Sequence, residues 1–122
     1  MHNFYKKSVV FPTHNELYVL DCENVLYIKA EDHYSQVCYR TGARFLVPFG
    51  LTSIYEKISQ AFQEECCLIR IGRSYIVNIR CVFHINTIKE EIILADATGS
   101  NHAIHMSKQS LRVLLSMINE ND

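Results

Sequence analysis

No apolar run in this 122-residue sequence approaches the roughly 18–20 residues needed to span a bilayer. The opening Met1-His2-Asn3-Phe4-Tyr5-Lys6-Lys7 lacks the apolar core of a secretory signal, so the protein is expected in the cytoplasm. The five cysteines, Cys22, Cys38, Cys66, Cys67 and Cys81, are odd in number and form no C-x-x-C pair. That spacing argues against a disulfide framework and against a zinc site, leaving reduced structural thiols, with a redox role for the adjacent Cys66-Cys67 as a minor alternative. Four glycines leave no phosphate-cradling P-loop, and neither G-x-S-x-G nor H-E-x-x-H occurs. His102-x-x-His105 is the best metal-like pair, but on a strand residues three apart point to opposite faces. Neither catalysis nor a cofactor nor a bound metal is expected.

There is also no repeat, linker or low-complexity stretch, and the length fits one domain. Residues 7–118 are assigned to it, with short tails at 1–6 and 119–122. Hydrophobic residues at 48% and charged residues at 20% are ordinary globular usage.

Net charge is −1, which taken alone disfavours a nucleic-acid partner. Its distribution reverses that impression. No acid lies between Glu65 and Glu90, where Arg70, Arg73, Arg80 and Lys89 fall. None lies between Asp32 and Glu56, around Arg40 and Arg44, or between Asp96 and Glu120, around Lys108 and Arg112. Three acid-free basic stretches can build one positive face.

Short apolar runs broken by turn residues mark an antiparallel β protein. Val9–Phe11, Leu17–Leu20, Val25–Ile28, Tyr34–Tyr39 and Phe45–Phe49 read as strands, the last two joined by Arg40-Thr41-Gly42-Ala43-Arg44. Further strand-like sequence runs from Cys66 to Ile85 and from Glu91 to Ala95. Leu51, Ile54, Tyr55, Ile58 and Phe62 repeat at helical spacing, with Gly50 or Ser53 as the start. Leu111, Leu114, Leu115 and Ile118 form a second helical face, with Ser107 as N-cap. The expected fold is mostly β, an elongated antiparallel β-sandwich with one short internal helix and one C-terminal helix.

Binding features stand out within that frame. Lys108 and Arg112 occupy the first turns of the last helix, where the macrodipole favours an anion, and Ser107 with free backbone N–H groups suits a phosphate oxygen. In Gly72-Arg73-Ser74 the glycine bends the chain after a strand with Ile69 and Ile71 inward and Arg70 outward, so that Arg73 and Ser74 stand on a connection. An arginine there can bond a guanine edge bidentately or clamp a phosphate. His33 likewise follows a strand, in a polar turn.

The order of these motifs resembles the LytTR DNA-binding domain from about Lys7 to Ile118. Leu68-Ile69-Arg70-Ile71-Gly72-Arg73-Ser74-Tyr75-Ile76-Val77-Asn78 is similar to that family's R-x-x-R-S-Y-I-V-N core. Val25–Tyr34 resembles its I-x-Y-I-E-A segment and the loop after it. Leu51–Ile58 takes the place of its short helix, and Met106-Ser107-Lys108-Gln109-Ser110-Leu111 resembles its closing V-S-R-x-x-L. The resemblance implies a transcription regulator without a recognition helix, whose loops enter successive major grooves of double-stranded DNA at paired direct repeats. It places base contacts at His33, Arg73 and Lys108 or Gln109, and leaves Arg70, Ser74, Ser107, Arg112 and Lys89 for phosphates. A second copy on DNA is an implied partner, as is RNA polymerase or an upstream signalling protein. Gly72 departs from the family, which commonly has a longer polar residue there, and Lys108-Gln109-Ser110 carries less basic charge than usual. Most relatives have a receiver or membrane segment before this domain, so the chain is expected to be a stand-alone regulator or a piece of a larger one. The competing expectation is a protein-interaction module on the same fold, pairing through exposed edge strands.

Overall fold

Val25–Glu31 (β3), apolar and buried over its first four residues, and Tyr34–Tyr39 (β4) build the middle of the molecule. The computed structural model describes residues 7–62 and 66–119; residues 1–6 and 120–122, most of the expected tails, lie outside them. Strands β1 (Ser8–Pro12) and β2 (Leu17–Asp21) form an antiparallel pair, and a 3-10 turn at Cys22–Asn24 leads into β3. Next come β4, β5 (Arg44–Val47), α1 (Leu51–Phe62), β6 (Leu68–Ile71) and β7 (Tyr75–Asn78). After a 3-10 turn at Ile79–Cys81 follow β8 (Val82–Asn86), β9 (Glu91–Ala95), β10 (Asn101–His105) and α2 (Lys108–Asn119). The fold is mostly β, as expected. Its centre is a five-stranded antiparallel sheet in the order β5-β4-β3-β7-β6, accompanied by the three-stranded sheet β10-β9-β8 and the pair β1-β2.

Both faces of the central sheet are buried. On one, Val25, Ile28, Val37 and Ile76 pack with Val9, Phe11 and Leu20 of the β1-β2 pair and with Leu51, Ile54 and Ile58 of α1. On the other, Leu26, Cys38 and Val77 meet Ile92, Leu94 and Ile104 of the three-stranded sheet and Leu111 and Leu114 of α2. The expected sandwich is this second layer. A register shift between Val25 and Tyr27 lets the consecutive Leu26 and Tyr27 enter the same core, which strict alternation forbids. Each fully buried aliphatic side chain contributes about 1.5–3 kcal/mol of transfer free energy.

Helix α1 begins at Gly50, whose carbonyl accepts the Ile54 N–H at 3.1 Å, and not at Ser53. The strand expected to reach Phe49 stops at Val47. Pro48 offers no N–H to the ladder, and Phe49 turns into the first core, stacking on Phe11 at 4.9 Å and meeting Tyr18 edge-on at 5.4 Å. Buried Ser35 bonds the Phe49 carbonyl at 2.7 Å, which satisfies both groups. Among the described residues no helix is long and apolar enough to cross a membrane.

Buried Asn78 closes the central sheet at one end. Its amide donates to the Val25 carbonyl at 2.8 Å, and its side-chain oxygen accepts the Arg80 N–H at 3.0 Å. Asn78→Leu leaves both backbone groups without that partner and is expected to lower stability by about 1–3 kcal/mol in denaturant unfolding. A second polar knot lies in the β9–β10 turn, where Asp96 accepts from Thr98 N at 2.8 Å, Thr98 Oγ1 at 2.7 Å and Ser100 N at 3.0 Å and meets His102 Nε2 at 2.9 Å. The His102 hydrogen bond, then that of Thr98, holds the Asp96 carboxyl well below the ordinary range. Its stabilisation is therefore complete above the unfolded value of about 3.9 and is lost as pH falls through the depressed folded value. Thermal unfolding of Asp96→Asn should show a lower Tm than wild type at pH 7, with the gap narrowing steadily in acid.

Candidate nucleic-acid interface

Antiparallel pairing decides which turns share an end of the molecule. Strands β3 and β4 pair up to Glu31 opposite Tyr34, so the Asp32-His33 turn caps one end of the sheet. Strand β7 runs antiparallel to β3 with Tyr75 opposite Lys29, and the Ser74 carbonyl accepts the Ala30 N–H at 2.8 Å. The β6–β7 turn, Gly72-Arg73-Ser74, therefore emerges at that same end. The start of α2 joins it: a Cβ on Gly72 would stand 3.4 Å from Ser110 Oγ. A cleft of about 200 Å³ between turn and helix is lined by Arg70, Ile71, Gly72, Gln109, Ser110 and Val113. The β8–β9 turn, residues 87–90, completes the group, because the Glu90 carbonyl accepts the Met106 N–H at 2.9 Å just before Ser107.

Local chemistry holds each turn in shape. Asp32 has φ of 62° and Glu90 of 55°, left-handed conformations that non-glycine residues adopt at a cost and that aspartate tolerates better than most. Gly72 has φ of 69°, which the absence of a Cβ makes accessible. Lys89 is anchored through its N–H to Asn86 Oδ1 at 3.0 Å. Ser107 is the N-cap expected for α2: its Oγ accepts the Ser110 N–H at 3.2 Å and its carbonyl accepts that of Leu111 at 3.0 Å.

The side chains singled out in the sequence gather at this end. His33, Arg73, Ser74, Lys89, Lys108, Gln109 and Arg112 are all exposed. Lys108 and Arg112, four apart, share a helix face. Among the described residues none of the cations Arg70, Arg73, Lys89, Lys108 and Arg112 forms an ion pair with a carboxylate; the ion pairs present are Lys29–Glu31 at 3.9 Å and His102–Asp96. Glu31, Asp32 and Glu90 bring opposing charge to the rim, and Lys29 offsets the first of them.

Two residues differ from their sequence reading. Arg70 does not point freely outward. Its guanidinium reaches Thr52 Oγ1 in the first turn of α1 at 2.7 Å and the Arg73 carbonyl at 3.2 Å, tying the β6–β7 turn to the helix. The Ser107 hydroxyl is already engaged, donating to Ser110 Oγ at 3.0 Å while it caps the helix. Thr52 and Ser110 were invisible as site residues because neither carries charge, and Ser110 falls on an unspecified position of the closing motif. The exposed Ile88 at the tip of the β8–β9 turn also gave no signal.

The other candidates do not assemble into chemistry. His102 turns to Asp96 while His105 lies exposed, and among the described residues no cluster of His, Cys, Asp and Glu suits a metal ion. Burial pushes up the thiols of Cys66 and Cys67, the opposite of the activation that a redox switch requires.

The fold has counterparts among known proteins. A family model described as the LytTr DNA-binding domain matches residues 15–119. Among solved structures, the LytTr DNA-binding domain of a protein described as a methyl-accepting/DNA response regulator from Bacillus cereus is similar in fold. Its TM-score is 0.57 at 19% sequence identity, and the match covers 89% of this chain and 96% of that one. No curated protein matches the sequence. With the family model spanning every element from β2 to α2, the chain belongs to the LytTR family of DNA-binding domains.

Proposed function

We propose that this chain regulates transcription in the cytoplasm by sequence-specific binding to double-stranded DNA, its turns entering successive major grooves of paired direct repeats. The observation that carries this reading is the convergence of three hairpin turns and the start of α2 on one end, bearing exposed cations without carboxylate partners among the described residues. His33, Arg73 and Lys108 or Gln109 are assigned to base edges, and Ser74, Lys89 and Arg112 to phosphates. Arg70 acts mainly by positioning: in holding the Arg73 carbonyl and Thr52 it fixes the direction in which Arg73 leaves the turn, and its remaining N–H groups suit a phosphate. Ser107 contributes through the helix N-terminus that it caps, where free N–H groups favour an anion. A second copy on the adjacent repeat, and RNA polymerase or an upstream signalling protein, are the further partners. The role needs no catalytic group and no cofactor.

A specific surface favours a second reading, a protein-interaction module on the same fold. Leu17, Val19, Phe45 and Leu46 are exposed along β2 and the edge strand β5, beside a groove of about 290 Å³.

Selection of bound duplexes from a random pool, followed by mobility-shift titration at several salt concentrations, tests the first reading. Binding should weaken with salt, and absence of any shift at low salt would favour the second reading. Arg73→Ala should cost about 1–3 kcal/mol and relax preference at one base position. Lys89→Ala, which removes a contact assigned to phosphate, should weaken all sequences alike and reduce the salt slope by about 1. Identical behaviour of the two variants would refute the division of roles between them.

A further inference from the structure

The opposite end of the central sheet has a cleft of its own. There the β2–β3, β4–β5 and β7–β8 connections meet, and a space of about 170 Å³ is lined by Glu23, Arg40, Asn78, Arg80 and Cys81. Both arginines are fixed at the backbone. Arg40 donates its N–H to the Asn24 carbonyl and accepts from Ala97 N, each at 2.8 Å, and Arg80 N is held by Asn78 Oδ1. The Nε of Arg40 is buried and has no hydrogen-bond partner among the described residues. Among the described residues neither guanidinium has a carboxylate within ion-pair distance, although Glu23 lines the same cleft. The Asn78 amide is already used by Val25 and Arg80. Cys81 supplies no counter-charge at neutral pH, because burial raises its thiol more than the neighbouring Arg40 lowers it.

A buried cationic donor without an acceptor is costly, and unsatisfied groups of this kind are rare enough to need a cause. Arg80, exposed beside it, brings a second cation to the same cleft. A tetrahedral oxyanion suits the guanidinium fork, and its charge offsets the two cations that line the cleft. We propose that the cleft between Arg40 and Arg80 binds a small free oxyanion of the phosphate class. Its volume lies below the roughly 300–1,000 Å³ of pockets that take larger organic ligands, which favours a single phosphate over a nucleotide. Glu23 opposes the anion and so limits its affinity. The site lies at the other end of the sheet from the candidate DNA face and stands independently of the DNA-binding reading.

The test is an NMR titration of the full chain with inorganic phosphate, without DNA, against sodium chloride at matched ionic strength, following the arginine Nε–H resonances. The expected result is a saturable shift of the Arg40 and Arg80 signals with phosphate and none with chloride. Arg80 is exposed, so Arg80→Ala should keep the fold and abolish saturation, and Glu23→Gln should tighten binding several-fold. Parallel, non-saturating shifts with both salts would overturn the proposal. So would unchanged saturation in Arg80→Ala, or phosphate shifts that emerge only in Glu23→Gln, which would make Glu23 the resident partner.

Discussion

The pairing of β3 with β7 is the constraint on which both ends of this molecule depend. Tyr27, Ile28 and Lys29 face Val77, Ile76 and Tyr75, residues far apart in the chain, and the alignment is extended by Ala30 N–H to Ser74 at one end and closed by Asn78 to Val25 at the other. Without that register the Asp32-His33 turn and the Gly72-Arg73-Ser74 turn would have no reason to emerge together. The same pairing stands between the two cores, so a one-residue slip would send Ile76 and Val77 to the wrong layers. Loop-closure entropy makes such a long-range pairing slow to form, and the apolar layers on its two faces hold it once formed.

Electrostatically the fold acts as a sorter. A chain with net charge of −1 presents cations without carboxylate partners among the described residues at two separated places, because each of its acid-free segments is delivered by a turn to one end or the other. At the first end the exposed cations stand on connections between rigid strands and at a helix start. Backbone anchors fixed in this way limit the freedom that such cations would lose on meeting a polyanion to their own rotamers. At the second end Arg40 is partly buried and Arg80 stands exposed beside it, on a cleft that suits a small ligand.

Much of this was legible in the sequence where the information is local. The apolar spacing from Leu51 to Phe62 gave α1, Ser107 gave the cap of α2, and Gly72 marked the bend in its turn. The R-x-x-R-S-Y-I-V-N-like core identified the family before any contact was known. What escaped depends on tertiary contact. Phe49 reads as a strand residue until Pro48 and the aromatic pocket of Phe11 and Tyr18 compete for it. Arg70 reads as free until Thr52, eighteen residues earlier, is brought beneath it. Asn78 reads only as the end of the family-like core motif, and the bond of its buried amide to strand β3 needs the folded sheet. Arg40 and Arg80 belong to different acid-free stretches, and only the folded sheet sets them on one cleft.

The close seat of Ser110 against Gly72 bears on how this interface can vary. With 3.4 Å between Ser110 Oγ and the place of a Cβ, the turn and the helix start move as one piece, and the size of either residue limits the other. A family member with a bulky side chain at the position of Gly72 must therefore open this seam, shift its closing helix or carry a smaller residue at the position of Ser110. The two positions should change together over evolutionary time, and the spacing between the β6–β7 turn and the start of the closing helix would then be an inherited variable.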